Sequence, residues 1–231
     1  MMPLLAQLPF ELRHLIIARI ATDNQHQRHV LPALASVSAE WQTAIEAFTF
    51  ARIHLIPERL DTFASIVVGS RRARLRVLSL HVPLDPYPSR LNDDKELPDA
   101  RKHTSATVIK PLERLFDILH DWPQPPPLHR VCLLLSVDSV SDTARDEKWD
   151  HTGLTHRARS SPLKLERVPM TLQPNSLIHS IRCTGRHLQP TSLLAIGSRC
   201  TVLDTLDVEL NHDSSSDRDE KQRAGHLCWQ P

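Results

Sequence analysis

The sequence predicts a mixed α/β fold, with helices over residues 1–50 followed by short strands and return helices over residues 51–210. Three observations carry this. Apolar residues recur at helical spacing as far as Phe50, the pattern then changes to short β-prone runs, and five of those runs share one template.

In LPFELRHLIIARI, residues 8–20, Leu12, Leu15, Ile16 and Ile20 recur at helical spacing on one side, with Arg13 and His14 on the other. Pro9 suits a helix start, and Glu11 falls where the positive end of the helix dipole favours a carboxylate. After a polar gap, Leu34, Val37, Trp41 and Ile45 recur at three- and four-residue steps, and Pro32 again suits a first turn. A second helix or helix pair follows. Helices this short cannot bury their apolar stripes against each other alone, so they need a partner or the rest of the chain.

Leu8-Pro9-x-Glu11-Leu12, Ile16 four residues on, and the later Leu34-Ala35-x-Val37-x-x-x-Trp41 resemble an F-box. The stretch from Trp41 through FTFARIHLIPERLDTFASIVV is similar to the fungal F-box proteins. The likeness covers about the first fifty residues, and a looser likeness reaches about residue 140. It implies a three-helix module that docks the Skp-type adaptor of a cullin ubiquitin ligase. Leu8, Pro9, Leu12, Ile16, Leu34, Val37 and Trp41 match the family's motif and stand as the adaptor-binding positions. Trp41 suits the helix core as well as an interface. The polar gap at 22–29 is longer than the family's usual connection. A helical hairpin that merely caps the domain behind it is the alternative.

With 28 basic against 27 acidic side chains the net charge is +1, so nothing points to wholesale binding to nucleic acid or to an anionic membrane, and a protein partner is favoured. Glu11, Arg13 and Arg19 interrupt the N-terminal apolar run, so neither a signal peptide nor a membrane span is expected. The expected setting is cytoplasmic, nuclear or both. Cys132, Cys183, Cys200 and Cys228 form no Cys-x-x-Cys pair and read as free thiols rather than disulfides or zinc ligands.

Along residues 51–210, ARIHLI reads as a strand. Leu60, Phe63, Ala64 and Val67 mark a helix entered at Pro57 and left at Gly69, and LRVLSLHV is a second strand with Leu78, Leu80 and Val82 on one side. Residues 85–104 read as a surface loop, and Leu112, Leu115, Phe116 and Leu119 as a helical stripe. The apolar run in HRVCLLLSVDS suits a strand covered on both faces. Residues 141–173 are polar and read as a long loop, after which SLIHSIRC is a strand, 190–198 a helix and VLDTLDVEL a strand. Residues 211–231 have the composition of a disordered tail.

The shared template is apolar at positions one, four and six: Phe50, Ile53, Leu55; Leu75, Leu78, Leu80; Leu128, Val131, Leu133; Ile178, Ile181, Cys183; Leu203, Leu206, Val208. First positions lie 25, 53, 50 and 25 residues apart, close to multiples of one number (75 − 50, 128 − 75, 178 − 128, 203 − 178). Such a period is the signature of leucine-rich-repeat solenoids, in which each unit buries its face only by stacking on the next. The Asn that normally closes each repeat's turn is missing, and an ordinary open α/β sheet fits as well. The array is short for that family, which leaves open a truncated member.

No phosphate loop, nucleophile elbow or His-Glu-x-x-His helix occurs, and no cofactor or metal is expected. His26 and His29 with Asp23 read as solvated loop residues, and Arg71, Arg72, Arg74 and Arg76 as a solvated turn or, less simply, a patch for an acidic segment. Asp85 and Asp138 follow strands but lack a partner acid, and so read as turn residues. The sequence therefore points to a non-catalytic interaction protein. Its helices would hold the adaptor, its repeat region an unidentified target. The alternative is a structural scaffold. Capping predicts Leu8, Pro9 and Ile16 buried, whereas docking predicts an open apolar patch on the order of several hundred Å².

Overall fold

A computed structural model of the chain describes residues 7–24, 30–86, 98–123, 129–139, 163–165, 172–185, 188–208 and 227–228. In chain order the elements are α1 (Phe10–Asp23), α2 (Val30–Ala35), α3 (Ala39–Thr49), β1 (Arg52–Leu55), a 3-10 turn (Pro57–Arg59), α4 (Leu60–Ile66), α5 (Ser70–Arg74), β2 (Val77–Leu84), α6 (Pro98–His120), β3 (Val131–Ser139), β4 (Ile178–Gly185), α7 (Pro190–Gly197), β5 (Thr205–Val208) and β6 (Leu227–Cys228). This is a mixed α/β chain with N-terminal helices and a five-stranded parallel sheet. It divides into two compact units, residues 1–53 with 67–76 and residues 54–66 with 77–231.

In the first unit, Pro9 precedes α1 and its carbonyl accepts from Arg13 N at 3.1 Å. Ser38, in extended backbone, caps α3 by accepting from Trp41 N at 3.3 Å, which satisfies one of the amides left over at a helix start. The core is Ile17, Ala44 and Ile45, with Leu31, Leu34, Ala35 and Trp41 packed against it. Gly69 does not close α4. It precedes α5 at φ +55°, ψ −128°, a conformation reserved for residues without a Cβ.

The sheet order is β1-β2-β3-β4-β5-β6, each strand beside its neighbour in sequence. The β2–β3, β3–β4 and β4–β5 pairs are parallel, and β6 runs antiparallel on β5. Parallel strands need crossovers, which here carry helices. Leu78 aligns with Leu133, Leu133 with Ile181, and Ile181 with Leu206. One face is apolar and buried: Leu78, Leu80 and Val82 on β2, Val131, Leu133, Leu135 and Val137 on β3, Ile181 and Cys183 on β4, and Leu206 on β5. It is completed by Leu112, Leu115, Phe116 and Leu119 of α6, by Leu193 and Ile196 of α7, and by Phe63, whose ring lies 5.8 Å from that of Trp122.

Further expectations of element and register need correction. Strand β3 is not covered on both faces, because Cys132, Leu134, Ser136 and Asp138 remain half-exposed among the described residues. Residues 98–104 are the start of α6 rather than loop, and Pro98 opens it where the missing amide costs nothing. In the 141–173 stretch, Leu163, Leu165 and Leu172 are core residues, Leu163 bridges Leu188, and Leu165 N donates to Ser192 Oγ at 3.0 Å. In the 211–231 stretch, Leu227 and Cys228 form a strand, pairing Leu206 and Thr205. The register also puts the third template unit two residues late, at Leu133 and Leu135 in place of Val131 and Leu133. The other residues of the two predicted loops at 85–104 and 141–173 that lie in 87–97, 140–162 and 166–171 fall outside the described residues, as do 209–226 and 229–231.

Candidate interaction surfaces

The direction α1 faces is set by Arg13. Its Nε donates to Glu40 Oε1 of α3 at 2.8 Å, and its Nη1 donates to the Leu8 carbonyl at 2.6 Å. Both side chains of the ion pair are less than one third exposed. The same side of α1 continues through Ile17 and Ala21, both buried, at four-residue steps. The helix has 3.6 residues per turn, so Leu12, Leu15 and Ile16 are carried to the opposite side. They are 47%, 65% and 36% exposed. The apolar row read from the sequence is thus the outer row, and the inner one is smaller.

The predicted adaptor positions separate accordingly. Leu34 and Trp41 pack on the helical core. Pro9, Leu12, Ile16 and Val37 are exposed, the last at 47%, and Leu8 is half-buried with its carbonyl held by Arg13. Leu15, the most exposed of the row, lies outside the motif match. Its spacing with Leu12 is the signal that finds it.

Arg71, Arg72 and Arg74 of the arginine run lie in α5, and Arg76 follows it, exposed. Arg71 and Arg74 are not an unclaimed patch: Arg71 Nη2 donates to Glu46 Oε1 at 2.8 Å, Arg74 Nη1 donates to Glu46 Oε2 at 3.1 Å, and the Arg71 guanidinium sits 4.8 Å from the centre of the Phe50 ring. The Arg71 hydrogen bond holds the Glu46 carboxyl below its ordinary range, against a smaller opposing effect of burial. A carboxylate between two guanidiniums ties α3 to residues far along the chain. Sequence spacing could not reveal this pairing across 25 and 28 residues.

The second surface is the sheet face turned away from α6 and α7. On it Ser79 lies beside Leu134, Leu134 beside Arg182, and Arg182 beside Asp207; His81, Ser136 and Thr184 form the next row. Its charges are paired. Arg182 Nε reaches Asp207 Oδ2 at 2.9 Å, and His81 Nδ1 lies 3.1 Å from Asp138 Oδ1, within ion-pair range but off the hydrogen-bond direction. Asp138 is therefore a strand residue with a partner, not a turn. Asp85 likewise meets His103 Nε2 at 3.1 Å, and its carbonyl accepts from Ser139 Oγ at 3.0 Å.

Asn175 has no spacing that marks it in the sequence. Buried ahead of β4, it accepts at Oδ1 from Leu177 N and Ile178 N and aligns with Cys200. The side chain closes a turn for amides that would otherwise be orphaned. Cys132, Cys183 and Cys200 are thiols rather than disulfides, and burial pushes Cys200 up to about 12. Among the described residues no three His, Cys, Asp or Glu side chains gather as metal ligands, and Asp23 pairs with Arg19. His26 and His29 lie outside the described residues. No helix among the described residues is long and apolar enough to cross a membrane. Compared with known protein families, with curated proteins and with solved structures, the chain matches none.

Proposed function

We propose that the chain is a non-catalytic substrate receptor of a cullin-type ubiquitin ligase, an F-box protein with a leucine-rich-repeat-like sheet. Its helical unit docks a Skp-type adaptor, and its sheet holds a target protein. The target's lysine would then be modified by proximity to the ligase rather than by chemistry on this chain. The observation that carries the reading is the outward row Leu12, Leu15 and Ile16 on a helix whose other side is fixed by Arg13 and Ile17. Apolar area left in water is stabilised by about 25 cal/mol per Å² when a partner covers it.

The sheet supports the second half of the reading. Among the described residues its strand order never reverses, so the described strands form no switch-point crevice of the kind where doubly wound enzymes bind ligands. Stacking in one direction is how repeat units bury their faces. The half-exposed face of small hydroxyls and paired charges has the composition of an interface's polar rim rather than of its apolar core. The alternative is a structural scaffold whose N-terminal helices only cap the repeat region.

One experiment separates the two. The purified chain is mixed with a Skp-type adaptor beside a Leu12→Ser, Ile16→Ser variant whose helicity is checked by circular dichroism. Capture that the folded variant loses supports the receptor. Absence of capture by the folded wild type overturns it and leaves the scaffold.

A further inference from the structure

We draw no further inference here: the strongest candidate, the side-chain cluster of His81, Asp138 and Ser136 on the half-exposed face of β2 and β3, carries nothing, because nothing in the structure joins Ser136 to the imidazole and the strand amides that could hold an oxyanion are engaged in the parallel ladder.

Discussion

Arg13 and Gly69 show how single residues decide what a helix can present. Arg13 holds α1 through bonds to Glu40 and to the Leu8 carbonyl. Replacing it with Ala leaves a part-buried carboxylate and carbonyl without their donor, and the expected loss is about 1–3 kcal/mol in urea unfolding. Gly69 has open space around its Cα, so no clash opposes a side chain there. Its backbone does: at φ +55° a Cβ is strained whatever the room, and Gly69→Ala is expected to destabilise by about 1–3 kcal/mol in the same assay. Thiol chemistry offers a check without mutation. Cys200 is buried and its thiol raised to about 12, whereas Cys132 is half-exposed on the sheet face. Iodoacetamide at about pH 8, near the ordinary thiol range, should label Cys132 in the native chain and Cys200 only after unfolding, as read by peptide mass spectrometry. Equal labelling of both would mean that the α7 end opens easily.

At the scale of elements, the alternation along β3 is the informative feature. Leu133 is fully buried while Leu134, its neighbour, is half-exposed on the other face. Leu133→Ala should cost about 2–5 kcal/mol, and Leu134→Ala much less, because only the first leaves a cavity. Comparable losses at both positions would place a cover on the second face. The same strand marks how far the sequence could be read. Period and face were legible in Leu78, Leu80, Ile181, Cys183 and Leu206, which do align across the sheet. The third unit slipped by two residues, since an unbroken apolar run offers several equivalent matches, and the register itself shifts between Val131 and Cys132. A slip of two keeps every side chain on its own face, so the buried set survived the error. A slip of one would have inverted it. Leu163, Leu165 and Leu172 were not legible at all, being isolated apolar residues in polar sequence whose burial depends on contacts with distant segments such as Leu188 and Ser192.

For the whole molecule, the division into two units has a consequence in acid. Glu46 binds Arg71 and Arg74 inside the unit of residues 1–53 and 67–76. Its carboxyl is lowered from an ordinary value of 4.5, chiefly by the Arg71 hydrogen bond. A group whose native pKa lies below its unfolded one contributes stability that is present above the unfolded value and is lost as pH falls through the native one. Helical-unit stability should therefore drop on acidification below about pH 4.5, and Glu46→Gln, which cannot titrate, should remove that part of the drop while lowering stability by about 1–3 kcal/mol at pH 7. Trp41 packs on the helical core and Trp122 on Phe63 in the other unit, so variants retaining one or the other as sole tryptophan report the units separately. Urea unfolding of each, repeated along an acid titration and followed by fluorescence, should show the Trp41 midpoint falling more steeply with pH when Glu46 is present than in the Glu46→Gln background. The pH dependence of the Trp122 midpoint should be indifferent to the substitution. Coincident transitions at both tryptophans, shifted together by the substitution, would show that the units unfold as one and that Glu46 supports more than the helices around it.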